Sequence, residues 1–374
     1  RRPAEVVRIL FVNSARGWGG GHTTALELAY GLTGAGHEVT LVCQPGSAVL
    51  DRIKAYPAVR AIPLAIRGEL NLWRVLQLRS LMRSTGADLV LADRHKDVKF
   101  AVPARGPNRT PRIVHRHGAP HAMPDRLHYR LLWPRLDAMI VNSQAMKHEQ
   151  LRRTPWLSTV PMHVIHNGKD LARFRPQPSR REPMRATLGI GKDEYVAGFH
   201  GSPQPRKRVD DLLHAAARLG ERISLHVLIV GEGADSAKLQ GLARELGLRC
   251  TFTGNRTDIP DVLAACDVSL NLSSAEGFSN SVVEALACGL PVIASRAHSH
   301  PEQIADGVTG RLVPVGDLDA LVDALVEFAD PARRRVAGEA ARRAAEESFG
   351  FEAMIEAYVR VLRETVATSA RGSD

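Results

Sequence analysis

Short apolar runs separated by helix-length amphipathic stretches recur in two series along the chain. The first series comprises residues 6–13, 38–43, 88–92, 112–116, 137–142 and 163–166; the second comprises 195–200, 225–230, 250–253, 268–272 and 291–295. Such runs predict buried strands, and their alternation with helices predicts parallel sheets covered on both faces. The opening unit shows the logic. After the strand Val6 to Asn13 comes a glycine-rich turn, Arg16-Gly-Trp-Gly-Gly-Gly-His22, and then Ala25, Leu28, Ala29 and Leu32 fall at helical spacing. Gly34 and Gly36 stop that helix, and Glu38 to Cys43 supplies the next strand, completing a βαβ unit.

The chain has 374 residues, more than one core supports, since cores stop growing near roughly 250 to 300 residues. Two doubly wound, Rossmann-like α/β domains are expected, 1–172 and 184–350, joined by the Pro-rich, charged segment 173–183 as linker and followed by an amphipathic stretch and tail, 351–374. Ligands of such sheets sit beyond the carboxyl ends of the strands, so a cleft between the two domains is the expected site. No apolar run approaches the roughly 18 residues of a membrane span. Cys43, Cys250, Cys266 and Cys288 are scattered without a C-x-x-C pair, which argues against a zinc site or a disulfide framework and fits a reducing cytoplasm.

Charge is unevenly placed. Residues 1–170 hold 25 Lys+Arg against 12 Asp+Glu, whereas the rest of the chain holds 25 against 28. The basic half should attract anions such as a phosphorylated glycan or anionic lipid headgroups at a membrane surface. Aromatic residues make up only 5% of the chain and none interleaves the basic clusters, so nucleic acid is not an expected partner.

The densest chemical signal is Ser273-Ser-Ala-Glu276-Gly-Phe-Ser-Asn-Ser-Val-Val-Glu284, where a strand end, a tight turn and a helix start succeed one another. One carboxylate falls in the turn and the second one turn into the helix, with the backbone N–H groups of Phe278, Ser279, Asn280 and Ser281 expected to lie exposed between them. Free N–H groups at a helix start seat phosphate, so the segment suits a ligand carrying a diphosphate and hydroxyl-rich sugars. Ser281-Val-Val-Glu284 also fits a capping box, which would make Glu284 structural. Arg206 and Lys207 sit on the loop between the strand Tyr195 to His200 and the helix Val209 to Leu219, where cations can neutralise a departing diphosphate or simply form a solvated basic cluster. Gly19 and Gly20 close the first strand–helix turn and allow close backbone approach to a ligand, but the second strand ends Cys43-Gln44-Pro45 without the carboxylate a dinucleotide fingerprint requires. His117, after the strand Arg112 to Arg116, is by itself more often structural than catalytic. Asp317-Leu-Asp319 precedes an apolar-periodic helix and reads as a helix cap rather than a metal site.

Glu276-x7-Glu284, with Gly289-Leu-Pro-Val292, Pro301-Glu302 and Asp306-Gly-Val-Thr-Gly310, resembles the family 4 retaining glycosyltransferases of GT-B fold, and the likeness extends from Gly19-Gly20 to the final helix. That resemblance implies two Rossmann-like domains, a last helix that returns to the first domain, and a nucleotide diphosphate sugar as co-substrate with neither cofactor nor metal. It implies that Glu284 holds the nucleotide ribose, Glu276 the donor-sugar hydroxyls, Lys207 the diphosphate, and His117 the donor sugar, with N–H contacts from residues 278–281. The family's loop arginine is Ser202 here, so either Arg206 or Arg208 supplies the second cation or the enzyme manages with one; the family's glycine before Pro301 is also replaced, by His300. Implied as acceptor is a glycan or lipid-linked molecule, anionic in keeping with the basic half, which would place the protein in the cytoplasm at the inner membrane face. Asp93-Arg-His-Lys-Asp97 and His115-Arg-His-Gly118 look similar to bacterial envelope members, including those of lipopolysaccharide synthesis. A nucleotide-sugar epimerase on the same fold is the alternative, with a basic membrane- or nucleic-acid-binding protein behind it.

Overall fold

The computed structural model describes residues 6–17, 19–66, 71–107, 110–119, 123–220 and 223–367. The chain divides into two compact units, residues 1–167 with 352–374 and residues 168–351. The first unit holds a seven-stranded sheet, β1 Arg8–Asn13, β2 Glu38–Cys43, β3 Arg60–Pro63, β4 Leu89–Ala92, β5 Arg112–His117, β6 Ala138–Val141 and β7 Met162–Val164. Its strands pair in the order β3-β2-β1-β4-β5-β6-β7, with each pairing parallel. The second unit holds β8 Tyr195–His200, β9 Leu225–Val230, β10 Cys250–Phe252, β11 Val268–Asn271, β12 Val292–Ser295 and β13 Gly310–Val313, in the order β10-β9-β8-β11-β12-β13 and likewise parallel.

Strand order reverses between β1 and β4 in one sheet and between β8 and β11 in the other, which creates a crevice at the carboxyl ends of those pairs. The central strands are buried along their length, as runs such as Leu-Val-Leu-Ala in β4 require. Their faces are covered by apolar clusters that include Leu10, Val90 and Trp133 in the first unit and Leu228, Leu286 and Leu325 in the second. Burial fixes the register, because a one-residue slip would turn every apolar side chain to the opposite face.

Two sequence expectations need correction. Residues 173–183 are not a linker: the division falls between Asn167 and Gly168, and the helix Pro178–Leu188 is part of the second unit. Arg185, buried, donates to Asp267 Oδ2 (2.8 Å) and to Ala265 O (3.0 Å), and Arg181 reaches Asp267 Oδ1 (2.6 Å), fixing this helix to the strand end. Two strands escaped the pattern, β3 at a sheet edge with Pro63, and β13, which reads Gly-Arg-Leu-Val. The helix Phe351–Ala367 belongs to the first unit apart from its first residue; its Tyr358 bonds Arg116, whose guanidinium also binds Asp93. Burial opposes the charge of Arg116, yet Asp93 and Tyr358 outweigh it and hold the guanidinium protonated.

Candidate functional site

Two loops at the β8–β11 switch point build the charged cluster of the second unit. After β8 the chain runs through an exposed loop to the tight 3₁₀ turn Pro205–Lys207; after β11 it runs through Ser273 to Glu276. Ser274 N–H donates to Arg206 O (2.8 Å), which binds the two loops together. Glu276 Oε2 then receives Lys207 Nζ at 2.5 Å and Arg206 Nη1 at 3.1 Å, and Arg206 Nη1 also donates to Ala275 O (3.1 Å). Burial by itself would raise the Glu276 pKa, but Lys207 and Arg206 hold it below the ordinary carboxylate range. For Lys207 burial prevails and lowers the pKa, with Glu276 opposing the shift. The cluster therefore contains two cations and one ionised carboxylate. Of the two candidates for the second cation, Arg206 takes the place; Arg208 folds back onto Asp211 (2.6 Å).

Ser202 does not join this cluster. Its hydroxyl donates to Glu232 O (2.8 Å), in a place where Gly201, Pro203, Gly231 and Gly233 pack backbone to backbone; a Cβ on Gly233 would meet Pro203 O at 2.1 Å.

Helix Asn280–Ala287 starts with Ser279 as its N-cap, two residues earlier than the capping-box reading placed it, so Glu284 lies inside the helix and has other partners. Its Oε1 is 3.1 Å from Lys169 Nζ and its Oε2 is 3.3 Å from His200 Nε2. Burial would raise this carboxyl, but Lys169 and His200 overcome it and bring the pKa down to about 2. The expectation of four exposed N–H groups also needs correction. Ser279 is buried, its N–H donates to Gln303 Oε1 (3.2 Å), and Gln303 Nε2 returns a bond to Ser279 O (2.8 Å). The Phe278 side chain is buried against Phe349, while Asn280 and Ser281 keep partial exposure. Asn271 Nδ2 donates to Ser279 Oγ (2.6 Å) and Ser281 Oγ (3.1 Å), ordering both hydroxyls.

Sequence reasoning missed Lys169, His200, Asn271 and Gln303, because each acts through a contact made only on folding. His300 could have been found: it stands where the resemblance calls for glycine. It is fully buried, its Nδ1 lies 2.7 Å from Ser295 O, its Nε2 has no hydrogen-bond partner among the described residues, and burial pushes its pKa below the ordinary histidine value. Asp317 accepts from Ala320 N–H (3.0 Å), which is the helix cap expected.

The first unit carries a pocket of about 780 Å³ at the β1–β4 switch point. It is lined by residues that follow β1, β4 and β5, among them Ser14, Arg16, Asp93, Arg94, Lys96 and Lys99. His117 is the last residue of β5 and forms part of the wall. Met123 N–H donates to Gln150 Oε1 (3.2 Å), which fixes the amide so that its nitrogen donates to His117 Nε2 (2.9 Å). His117 Nδ1 lies 3.1 Å from His95 Nε2. Gly19 and Gly20 stand at the start of helix Gly20–Gly34 in this unit, Gly19 as N-cap. One ring nitrogen from each of His95, His115 and His117 lies within 4.8 Å of the other two, the grouping among the described residues that comes nearest to a metal site. Burial pushes His95 down to about 3 and His115 well below its ordinary value, so both rings are neutral. His115 Nδ1 accepts from Trp133 (3.3 Å), however, which puts its proton on Nε2 and leaves that nitrogen without a lone pair for an ion.

Family models match both units: "Glycosyltransferase Family 4" over residues 18–173 and "Glycosyl transferases group 1" over 180–344. Among curated relatives, the D-inositol 3-phosphate glycosyltransferase of Mycobacterium sp. (strain KMS) is 37% identical over 215 residues, covering 54% of this chain and 48% of that protein. That of Saccharomonospora viridis is 35% identical over 246 residues, covering 62% and 56%. The chain thus spans about half the length of the curated relatives it matches. Similar solved structures include Anabaena HepE in complex with UDP (22% identity, 96% of this chain and 100% of that one, TM-score 0.83). WaaG, a glycosyltransferase of lipopolysaccharide biosynthesis, is similar with 18% identity, 95% and 99% coverage and a TM-score of 0.71. At these identities the likeness shows the fold, two Rossmann-like domains of GT-B type.

Proposed function

The chain belongs to the family 4, group 1 glycosyltransferases, and on that premise we propose that it moves a sugar from a nucleotide diphosphate sugar to an acceptor hydroxyl with retention of anomeric configuration. The observation that carries this reading is the cluster of Lys207, Arg206 and Glu276 at the β8–β11 switch point, beside the start of helix Asn280–Ala287. Two cations against one carboxylate leave a single positive charge, which favours a diphosphate, and most of all a diphosphate gaining charge as the glycosidic bond breaks. Glu284 accepts the ribose hydroxyls, with Lys169 and His200 keeping its carboxylate ionised and oriented. Glu276 accepts donor-sugar hydroxyls. Asn280 and Ser281 contribute polar contacts.

No carboxylate is assigned as nucleophile behind the anomeric carbon, so the proposed step is same-face attack, with the departing phosphate taking the acceptor's proton. The protein's contribution is then positioning and charge stabilisation. Neither metal nor cofactor takes part. The UDP and UDP-glucose complexes of HepE support a nucleotide-sugar donor, and WaaG supports a place in envelope glycan synthesis. That place would be cytoplasmic, at the membrane surface; among the described residues no helix is long and apolar enough to cross it. A panel of nucleotide diphosphates and their sugars, read by thermal shift and followed by proton NMR of the product's anomeric centre, tests the reading. An inverted product rejects retention, and interconversion of donor in the absence of any acceptor replaces transfer with epimerisation.

A further inference from the structure

The pocket of the first unit has a charge that its own residues do not balance. Arg16, Arg94, Lys96 and Lys99 line it, and among the described residues none of the four forms an ion pair. The one carboxylate in the lining, Asp93, is already committed, its Oδ1 to Arg116 and its Oδ2 to Asn13 Nδ2 (2.8 Å). Asp97, the nearest acid along the chain, is turned inward to the N–H groups of Ser14 and Arg94 (3.2 and 2.9 Å) and is fully buried. Lys99 rests over the Tyr129 ring with its Nζ 5.3 Å from the centroid, which keeps that ammonium near the pocket wall. Arg94, His95 and Lys96 are the N-cap and first two residues of helix His95–Arg105, so the positive end of its dipole faces the same space.

Like charges gathered without counter-ions in a concave site repel one another, at a cost to stability that an anionic ligand would remove. Exposed lysines that only keep a protein soluble do not need a cavity, a helix start and a neutralised acid at one place. We propose that this pocket is an anion subsite which holds the phosphate of a phosphorylated acceptor through Arg16, Arg94, Lys96 and Lys99. The chemistry shared by its possible ligands is a phosphate monoester, whether on a soluble polyol or on a lipid headgroup. The inference rests on the glycosyl-transfer reading only in calling the bound molecule an acceptor; the anion site itself does not depend on it.

The test titrates the full chain with D-inositol 3-phosphate and with unphosphorylated inositol at matched ionic strength, with UDP in parallel. Wild-type protein should bind the phosphate ester and not the plain polyol. In Lys96→Met/Lys99→Met its affinity should fall by tenfold or more, since each charge-assisted hydrogen bond corresponds to about that factor, while UDP affinity stays as in wild type. Should the double variant lose UDP binding through misfolding, Arg94→Gln, at an exposed position, makes the same comparison. Co-sedimentation with vesicles containing phosphatidic acid, against phosphatidylcholine alone, assigns the lipid-borne source if it is lost in the double variant. Equal binding of ester and polyol overturns the proposal, as does an ester affinity that survives in the double variant and vanishes in Lys207→Met. Failure of every nucleotide diphosphate in the panel to bind wild-type protein would instead overturn the donor reading and leave the anion subsite standing.

Discussion

Replacing Lys169 with methionine tests the buried charge network of the second unit directly. Lys169 is 3% exposed and its ammonium stands 3.1 Å from a carboxylate whose pKa is about 2, against an ordinary value of 4.5. A depression of that size is worth on the order of 3 kcal/mol of stability. Because the folded pKa is the lower one, this contribution is complete above about pH 4.5 and is lost as the pH falls towards 2. Lys169→Met leaves Glu284 buried with His200 alone, and breaking a buried pair from one side costs about 3–5 kcal/mol. In a unit of this size that corresponds to a fall of roughly 6–15 °C in Tm near pH 7. The gap between variant and wild type should narrow below about pH 4, where Glu284 of the variant is protonated and the wild-type advantage fades. Lys169→Met/Glu284→Gln should recover most of the loss, because no unpaired charge is then buried. Calorimetry of the three proteins from pH 3 to 7 measures this. A deficit that is equal at every pH, or a double variant no better than the single one, would refute the assignment of Glu284 as an ionised, lysine-dependent carboxylate.

Glu276→Gln should keep its fold yet lose about 30- to 1000-fold in kcat/KM, the cost of one preorganised electrostatic group; turnover equal to wild type in a donor-consumption assay would remove Glu276 from the site. Gly233→Ala forces a Cβ to within 2.1 Å of Pro203 O, so the loop carrying Ser202 must shift, and weaker UDP binding by calorimetry, with Tm lowered, is expected. Activity should persist in excess chelator; loss that magnesium or manganese restores would contradict a metal-free reaction.

The sequence pattern made the sheets legible because parallel strands are apolar along their whole length, a signal that survives without neighbours. β3 lacked it, being a short edge strand with exposed ends and Pro63. Residues 173–183 read as a linker because proline and charge usually mark one, whereas here Arg181 and Arg185 are drawn onto Asp267, a partner more than eighty residues away. Glu276, Glu284 and Lys207 were recognisable by type and spacing. Their counter-charges were not, since Lys169 and His200 reach Glu284 from other segments. The same holds for the anion pocket: the basic excess was countable, but that Asp93 and Asp97 are spent elsewhere is a property of the folded chain.

The helix that supplies Tyr358 to Arg116 is made after the whole of the second unit, yet it belongs to the first. Between Asn167 and Glu352 the ribosome must add the whole of the other unit, which at ordinary synthesis rates occupies roughly 10 to 40 seconds. During that interval the nascent amino-terminal sheet waits without its closing piece, and Arg116 lacks a phenol to share. Maturation should therefore run out of chain order, with the later-synthesised unit able to consolidate before the earlier one.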